Sequence, residues 1–308
     1  MKTGTVPGII FWGTPSFAAP LLKALHDTKS IRAVVTQPDR PQGRGQKIVI
    51  PSAVKEFAAA HHIPVLQPER LDAEFSEQLK KYLPALFCVV AYGSLIPASI
   101  LSLSQPAAVN VHPSLLPDLR GPSPIQTAIR KGYAETGITL MQLDAELDHG
   151  PIIAQKKIAL DGTETAESLS KTLADVTAEF IPQTIAAYAA GTMKPHAQDH
   201  ARATHSKRME RTDGELVFSL SATELDRIMR SCMPWPGAYF IWKKKRIKVV
   251  SAQPVADRAA KRFTMTPDHT LRIACAEGSL DVAMLQPENA RAMSARDFVN
   301  GYPEILES

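Results

Sequence analysis

The segment Ala107-Ala-Val-Asn-Val-His-Pro-Ser-Leu-Leu-Pro-Asp-Leu-Arg-Gly121 decides how the first half of the chain is read. Ala107 to His112 reads as a strand, and successive side chains of a strand point to opposite faces, so Asn110 and His112 project from the same one. Pro113 and Pro117 then turn the chain away. An amide and an imidazole together at the end of an apolar strand mark a small polar site. Outward from it, Gly8 to Phe11, Ile31 to Thr36, Ile63 to Leu66 and Leu86 to Ala91 are short apolar runs of strand length. Between them Phe17 to Leu25, Pro51 to His61 and Leu71 to Lys80 carry helical spacing, the first with Ser16 as its cap. Strands alternating with helices predict a mainly parallel sheet covered on both faces, a Rossmann-like α/β domain. Ile125 to Lys131 adds a helix, and Gly137 to Leu143 with Ile152 to Ala159 a later strand pair. In open sheets of this kind ligands bind beyond the carboxyl ends of the strands, which is where His112 falls.

With 308 residues, 44% of them hydrophobic and 21% charged, the chain has the composition of a globular protein of two domains. The apolar run near the N-terminus is too short for a signal-peptide core and no run approaches a membrane span, so a cytoplasmic protein with no membrane partner is expected. Cys88, Cys232 and Cys275 are far apart among apolar neighbours, which predicts buried thiols and no metal site. No Gly-x-Gly-x-x-Gly follows the first strand and no phosphate-binding Gly-x-x-x-x-Gly-Lys-Ser/Thr occurs, which argues against nicotinamide and nucleoside-triphosphate chemistry. Thr165 to Ala190 reads as a long helix bent or restarted at Pro182. Beyond it Met193 to Arg211 loses apolar periodicity, which divides the chain into a catalytic domain over 1–192, a basic linker over 193–211 and a C-terminal domain over 212–308. There, Leu216 to Met229 reads as a strand leading into a helix. Ala238 to Trp242, Arg246 to Val250, Thr270 to Cys275 and Leu280 to Leu285 read as short strands of an antiparallel barrel.

The net charge of +4 conceals an uneven distribution. Between Arg202 and Arg262 fourteen Lys or Arg stand against six Asp or Glu, with Lys243, Lys244, Lys245, Arg246 and Lys248 close to Tyr239, Phe240 and Trp242. Composition alone reads that run equally well as a solvated hairpin or as a nucleic-acid surface. A second basic element, Thr36 to Ser52, carries Arg40, Arg44 and Lys47 and is too long for a passive connection. Glycines on both sides of Arg44 let its backbone approach a partner, and guanidinium suits phosphate and stacking on a base. For the polar site itself, the carboxylate best placed to orient His112 is Asp148. No serine or cysteine stands as a nucleophile, since Ser114 lies in a proline-flanked turn rather than on a strand-to-helix elbow. An amide, an imidazole and a carboxylate without a nucleophile suit direct attack of one substrate on another, with acyl transfer to an amine as the natural class.

The motif Asn110-x-His-x-Ser-Leu-Leu-Pro117, with Arg120-Gly121, Pro124-Ile-Gln126, Glu135-Thr-Gly-Ile-Thr139 and Leu147-Asp-x-Gly150, resembles the folate-dependent formyltransferases. Phe11-x-Gly-Thr-Pro-x-Phe17, Thr36-Gln-Pro-Asp-Arg-Pro-x-Gly-Arg-Gly45, Val90-Ala-Tyr-Gly93, Ala203-Thr-His205 and Pro234-Trp-Pro236 are similar to the branch that acts on methionyl-tRNA. The resemblance runs from about Ile9 to Phe298. It implies a Rossmann-like catalytic domain joined to a C-terminal barrel like an OB-fold, with 10-formyltetrahydrofolate as donor, initiator methionyl-tRNA as acceptor, and no metal. It implies that Asn110 and His112 polarise the formyl oxygen while Asp148 keeps the imidazole charged and helps to remove the amine proton. It also implies that Ser114, Leu115, Leu116 and Pro117 contact folate, with Val90, Ala91, Tyr92 and Gly93 a wall of the pterin pocket. Arg44 with Arg40 and Lys47 would reach the acceptor end of the tRNA, and Lys207, Arg208, Lys243, Lys244 and Lys245 would bind elsewhere on it. Two departures stand out: His149 occupies a position where a small residue is expected, and the C-terminal domain is short. A sugar N-formyltransferase shares the Asn, His, Asp and Ser-Leu-Leu-Pro set, and the loop around Arg44 argues against it. A non-catalytic tRNA-binding protein of the same fold is opposed by the complete triad. A monomer is expected.

Overall fold

The computed structural model describes residues 8–42 and 48–307. Arg44 and Lys47, expected to touch tRNA, lie outside them. By internal contacts the chain forms two compact units, the first made of residues up to Pro124 with Glu135–Ala159 and Ser170–Ser206, the second of Ile125–Ala134, Leu160–Leu169 and the chain from Lys207.

In the first unit the apolar runs form the strands they predict. Elements follow as β1 (Ile9–Gly13), α1 (Ala18–His26), β2 (Ile31–Val35), β3 (Arg40–Gln42), β4 (Ile48–Ile50), α2 (Ala53–Ala60), β5 (Val65–Leu66), α3 (Ala73–Lys80), β6 (Leu86–Val90), α4 (Ala98–Leu101) and β7 (Val109–His112). Past α5 (Pro124–Lys131), which from Ile125 belongs to the second unit, come β8 (Glu135–Gln142), β9 (Ile152–Ala159) and α6 (Ala166–Ala189), the last joining the first unit from Ser170. The sheet order is β5-β2-β1-β6-β7-β8-β9, parallel as far as β7, with β8 antiparallel to β7 and β9 antiparallel to β8. β1 and β6 are buried along their whole length, as strands covered on both faces must be. Helix starts follow local chemistry: Ser52 caps α2 and Asp72 caps α3 through side-chain oxygens that accept the Lys55 and Phe75 amides. Ser16 does not cap α1, whose flanking residue Phe17 is already helical. α6 passes through Pro182 without a break.

The connection Thr36 to Ser52 contains structure that its prolines hid. β3 and β4 pair as an antiparallel hairpin, Arg40 opposite Ile50, and Arg40 is exposed. The stretch expected to link the domains also differs from its aperiodic reading, because backbone hydrogen bonds rather than an apolar face hold it. His196 exchanges both backbone bonds with Ile152, Arg120 pairs with His205, and the Ser206 amide donates to the Arg120 carbonyl at 2.7 Å. Residues 196–206 are therefore a strap on the first unit.

The second unit holds α7 (Ala222–Ser231), β10 (Ala238–Trp242), β11 (Lys245–Val255), β12 (Phe263–Met265), β13 (Leu271–Ala274), β14 (Ser279–Pro287), β15 (Met293–Ser294) and α8 (Ala295–Gly301). All its strand pairs are antiparallel, in the order β10-β11-β14-β13-β12 with β15 on β14. Its core gathers Leu225, Phe240, Leu271, Leu280, Val282 and Phe298, all essentially inaccessible. α7 begins with a capping box in which Ser221 accepts the Glu224 amide and the Glu224 carboxylate accepts the Ser221 amide. The strand expected at Leu216 is reduced to one amide bond to the Tyr239 carbonyl at 2.7 Å. None of the helices among the described residues is long and apolar enough to cross a membrane.

Gly137 in β8 leaves no room for a side chain: a Cβ there would lie 2.2 Å from the Lys156 carbonyl oxygen and 2.6 Å from Leu115 Cδ2. Gly137→Ala should cost roughly 1–3 kcal/mol, the range of overpacked sites, and appear as a lower Tm in thermal unfolding.

Candidate active site

β7 sets Asn110 and His112 at the carboxyl end of the sheet, beside β6 through Val89 and beside β8 through Met141 and Thr139. The loop after it returns on itself around Thr139. The Thr139 hydroxyl donates to the Ser114 carbonyl at 2.7 Å and accepts the Leu116 amide at 3.0 Å, while Gln155 Nε2 reaches both the Leu116 carbonyl and the Thr139 hydroxyl. This return brings the Leu119 carbonyl to within 2.9 Å of His112 Nε2. A carbonyl only accepts, so Nε2 carries a proton, and the other ring nitrogen, Nδ1, is aimed at Asp148 Oδ1, 3.5 Å away. The Gly121 amide, two residues further on, donates to the other carboxylate oxygen of Asp148 at 2.8 Å. Gly121 has φ +103 and a Cβ would lie 2.6 Å from the Ser206 carbonyl oxygen, so no other residue fits that turn.

His112 and Asp148 are therefore brought together by two loops that the sequence does not show converging, and Asn110 stands on the same face of β7, two residues before His112. His112 and Asp148 are almost fully buried. Asn110 is half-buried, and its side-chain amide makes no hydrogen bond among the described residues, which leaves both its donors and its oxygen for a ligand. The 3.5 Å between His112 and Asp148 is longer than a hydrogen bond, so Nδ1 is left unbonded for an incoming atom, whereas Nε2 is committed to Leu119.

The residues expected around folate divide. Ala91 and Gly93, both with positive φ, are exposed at the end of β6, while Val90 and Tyr92 turn into the core, Tyr92 lying edge-on to Trp12 at 5.2 Å. Leu115 and Pro117 are half-buried, Leu116 is buried against Met141 and Ile152, and the Ser114 hydroxyl donates to the Asp118 carbonyl at 2.5 Å. Ala91, Gly93, Leu115 and Pro117 can thus touch a ligand, whereas Val90, Tyr92, Ser114 and Leu116 support them. A cleft of about 550 Å³ opens at neighbouring strand ends, lined by Thr14, Gln37, Arg40, Ser52, Gly93 and Ser94 among others; the triad does not line it. At its edge Asp39 is held below the usual carboxylate range by hydrogen bonds from Lys55 and Gln67.

His149, the departure beside Asp148, faces away from His112. Its Nδ1 donates to Asp144 at 2.8 Å and its ring lies flat on His200, centroids 4.0 Å apart and planes 4° apart. The basic residues expected on tRNA are exposed wherever they are described: Arg40, Lys207, Arg208, Lys243, Lys244 and Lys245. Lys243 and Lys244 are the two-residue turn between β10 and β11, both at positive φ, with the Lys243 ammonium over Trp242 and 3.1 Å from Glu304. Arg246 stacks on Tyr239 at 3.8 Å. Leu119 and Gln198 carry no mark in the sequence, because a carbonyl leaves no sequence signal and Gln198 sits in an aperiodic stretch, whereas Thr204 falls within the Ala203-Thr-His205 motif.

Residues 8–185 match the family described as formyl transferase and residues 208–303 the one described as formyl transferase, C-terminal domain. Both parts of the molecule carry the formyltransferase architecture. The chain is 42% identical over 299 residues to the methionyl-tRNA formyltransferase of Myxococcus xanthus, covering 96% of this chain and 95% of that one. It is 38% identical to that of Thermodesulfovibrio yellowstonii, with 96% of each covered. The chain belongs to the methionyl-tRNA formyltransferase family. The fold is also that of an N-formyltransferase from Helicobacter canadensis solved with folinic acid and dTDP-3-aminofucose, with a TM-score of 0.69 at 18% identity over 93% of this chain and all of that one.

Burial pushes the Cys88 thiol up from 9.0 to about 12 and the Tyr92 phenol from 10.0 to about 12. The folded state holds these protons longer than the unfolded chain, so their contribution to stability is intact below about pH 9 and is lost as pH rises towards 12. Denaturant midpoints should fall across that range, and less steeply in Cys88→Ala.

Proposed function

We propose that the protein transfers the formyl group of 10-formyltetrahydrofolate to the α-amine of methionyl initiator tRNA. The observation that carries this reading is the buried His112–Asp148 pair at the end of β7, with the unpaired Asn110 amide on the same strand face two residues before it. Membership of the family supports the reaction and the acceptor. The folinic acid of the fold relative from Helicobacter canadensis and the tetrahydrofolic acid of HypX from Aquifex aeolicus support a folate donor.

In this reading the amine nitrogen attacks the formyl carbon and the carbonyl oxygen becomes an oxyanion. The Asn110 amide donates to that oxygen, and His112, with a proton on each ring nitrogen, donates to it from Nδ1, the nitrogen that no hydrogen bond occupies. Donors fixed before charge develops lower the barrier because they need no reorganisation. Asp148, oriented by the Gly121 amide, accepts the proton that the attacking amine loses. The tetrahedral intermediate then collapses, its bond to the folate N10 breaks, and N10 takes up a proton in exchange. Ala91, Gly93, Leu115 and Pro117 flank the donor. Arg44, Arg40 and Lys47 engage the acceptor end of the tRNA, with Lys207, Arg208 and the Lys243–Lys245 turn on its phosphates.

The deciding assay offers the purified protein 10-formyltetrahydrofolate with methionyl initiator tRNA, methionyl elongator tRNA and an amino-sugar nucleotide in parallel. Formyl-methionyl initiator tRNA is the expected product, and formylation of the sugar nucleotide alone would overturn the reading. His112→Ala and Asp148→Ala should each reduce turnover by about 100-fold or more, the scale of a lost acid–base or oxyanion group, while tRNA affinity stays near that of the parent. Arg44→Ala should weaken tRNA engagement and leave folate binding unchanged. Affinity for tRNA should fall steeply with added salt, as phosphate contacts require.

A further inference from the structure

Asp148 occupies an unusual backbone position. Its φ of +53 lies in the left-handed region, which a non-glycine residue holds only when its surroundings impose it. The Gly121 amide orients its carboxylate, but that bond alone does not fix the backbone that carries it. The backbone is fixed from the strap. Gln198 Nε2 donates to the Asp148 carbonyl at 2.9 Å and to the Gly150 carbonyl at 2.8 Å. Its Oε1 accepts two bonds from Arg120, from Nε at 3.2 Å and from a terminal nitrogen at 2.7 Å. Guanidinium only donates, so Arg120 dictates which end of the amide faces the Asp148 loop.

We infer that Gln198 is a positioning residue for Asp148, holding the carboxylate at the geometry that proton transfer with the acceptor amine requires. The inference rests on the formyl-transfer reading of the site. Gln198 and Arg120 are 5% and 6% exposed, and among the described residues Arg120 meets no carboxylate; its side chain bonds Gln198 and His200 Nδ1. A buried cation spent on orienting a neutral amide is costly unless that orientation matters. The same strap holds the other half of the site. The Thr204 hydroxyl accepts the Leu119 amide at 2.9 Å, and the Leu119 carbonyl holds His112 Nε2. Both partners of the 3.5 Å approach are thereby referred to one stretch of backbone. His200, stacked on His149, closes the strap over the loop beside Asp148. An apolar side chain in place of Gln198 would fill the space but leave two carbonyls and two guanidinium donors unpaired, which frees the loop to turn.

The test compares Gln198→Leu and Gln198→Glu with the parent chain in the formyl-transfer assay, with folate binding measured separately. A displacement of about 1 Å at a reacting group costs about 100-fold, so kcat should fall by that order while KM for the folate donor moves by less than about two-fold. In an Asp148→Asn background the Gln198→Leu change should add nothing, because the group it positions is already gone. The ring nitrogen resonances of His112 should also shift in Gln198→Leu. If the leucine variant does not fold, the glutamate variant decides, since it keeps the Arg120 contact but presents an oxygen to both carbonyls. A kcat equal to that of the parent, an equal loss in the Asp148→Asn background, or a raised KM with unchanged kcat would each overturn the inference. Absence of formyl transfer by the parent chain would instead count against the reaction, and the His112 resonances would still judge the positioning.

Discussion

The loop between β7 and α5 has to fold back far enough for two backbone groups, the Leu119 carbonyl and the Gly121 amide, to reach two side chains on different elements. One fixes the His112 ring and the other fixes the Asp148 carboxylate. Backbone groups serve this purpose well because they carry no rotamer freedom to lose. The interactions that surround them follow from that need: Thr139 and Gln155 pin the first part of the loop, and the strap pins the second. The sheet places β7 beside β8, and the loop converts that placement into a site.

Much of this was legible in the sequence and some was not, for reasons that differ by element. β1, β6 and β7 announce themselves as apolar runs because strands buried on both faces have no polar period to confuse them. Asn110 and His112 are legible because a period of two puts them on one face, and Asp148 because its surrounding motif is short and specific. Gln198 is illegible: its partner Arg120 is 78 residues away, and its own neighbourhood is basic and aperiodic. The β3–β4 hairpin is masked by Pro41, a residue tolerated because each strand of a two-stranded sheet is an edge strand. Among the residues expected to meet folate, sequence does not separate those that face a ligand from those that prop them, since Ser114 and Leu116 alternate with Leu115 and Pro117 along an irregular loop.

His149 shows how a local departure is absorbed. A ring beside the Asp148 carboxylate would ordinarily compete with His112 for it. Here Asp144 provides a second carboxylate and His200 a flat surface, so the extra imidazole is drawn to the outer side of the loop and Asp148 keeps its single ring partner. The tolerance is geometric: the left-handed turn at Asp148 separates the directions of two adjacent side chains.

The turn at Lys243 and Lys244 obeys a different economy. Two-residue hairpin turns with both residues at positive φ are the natural place for Asn-Gly, and a lysine there carries backbone strain of roughly 1 kcal/mol or more. The neighbouring positions do little to offset it, since both side chains are exposed and only Lys243 has a carboxylate within reach. The tip thus presents two ammonium groups side by side from a backbone that smaller residues would adopt at lower cost.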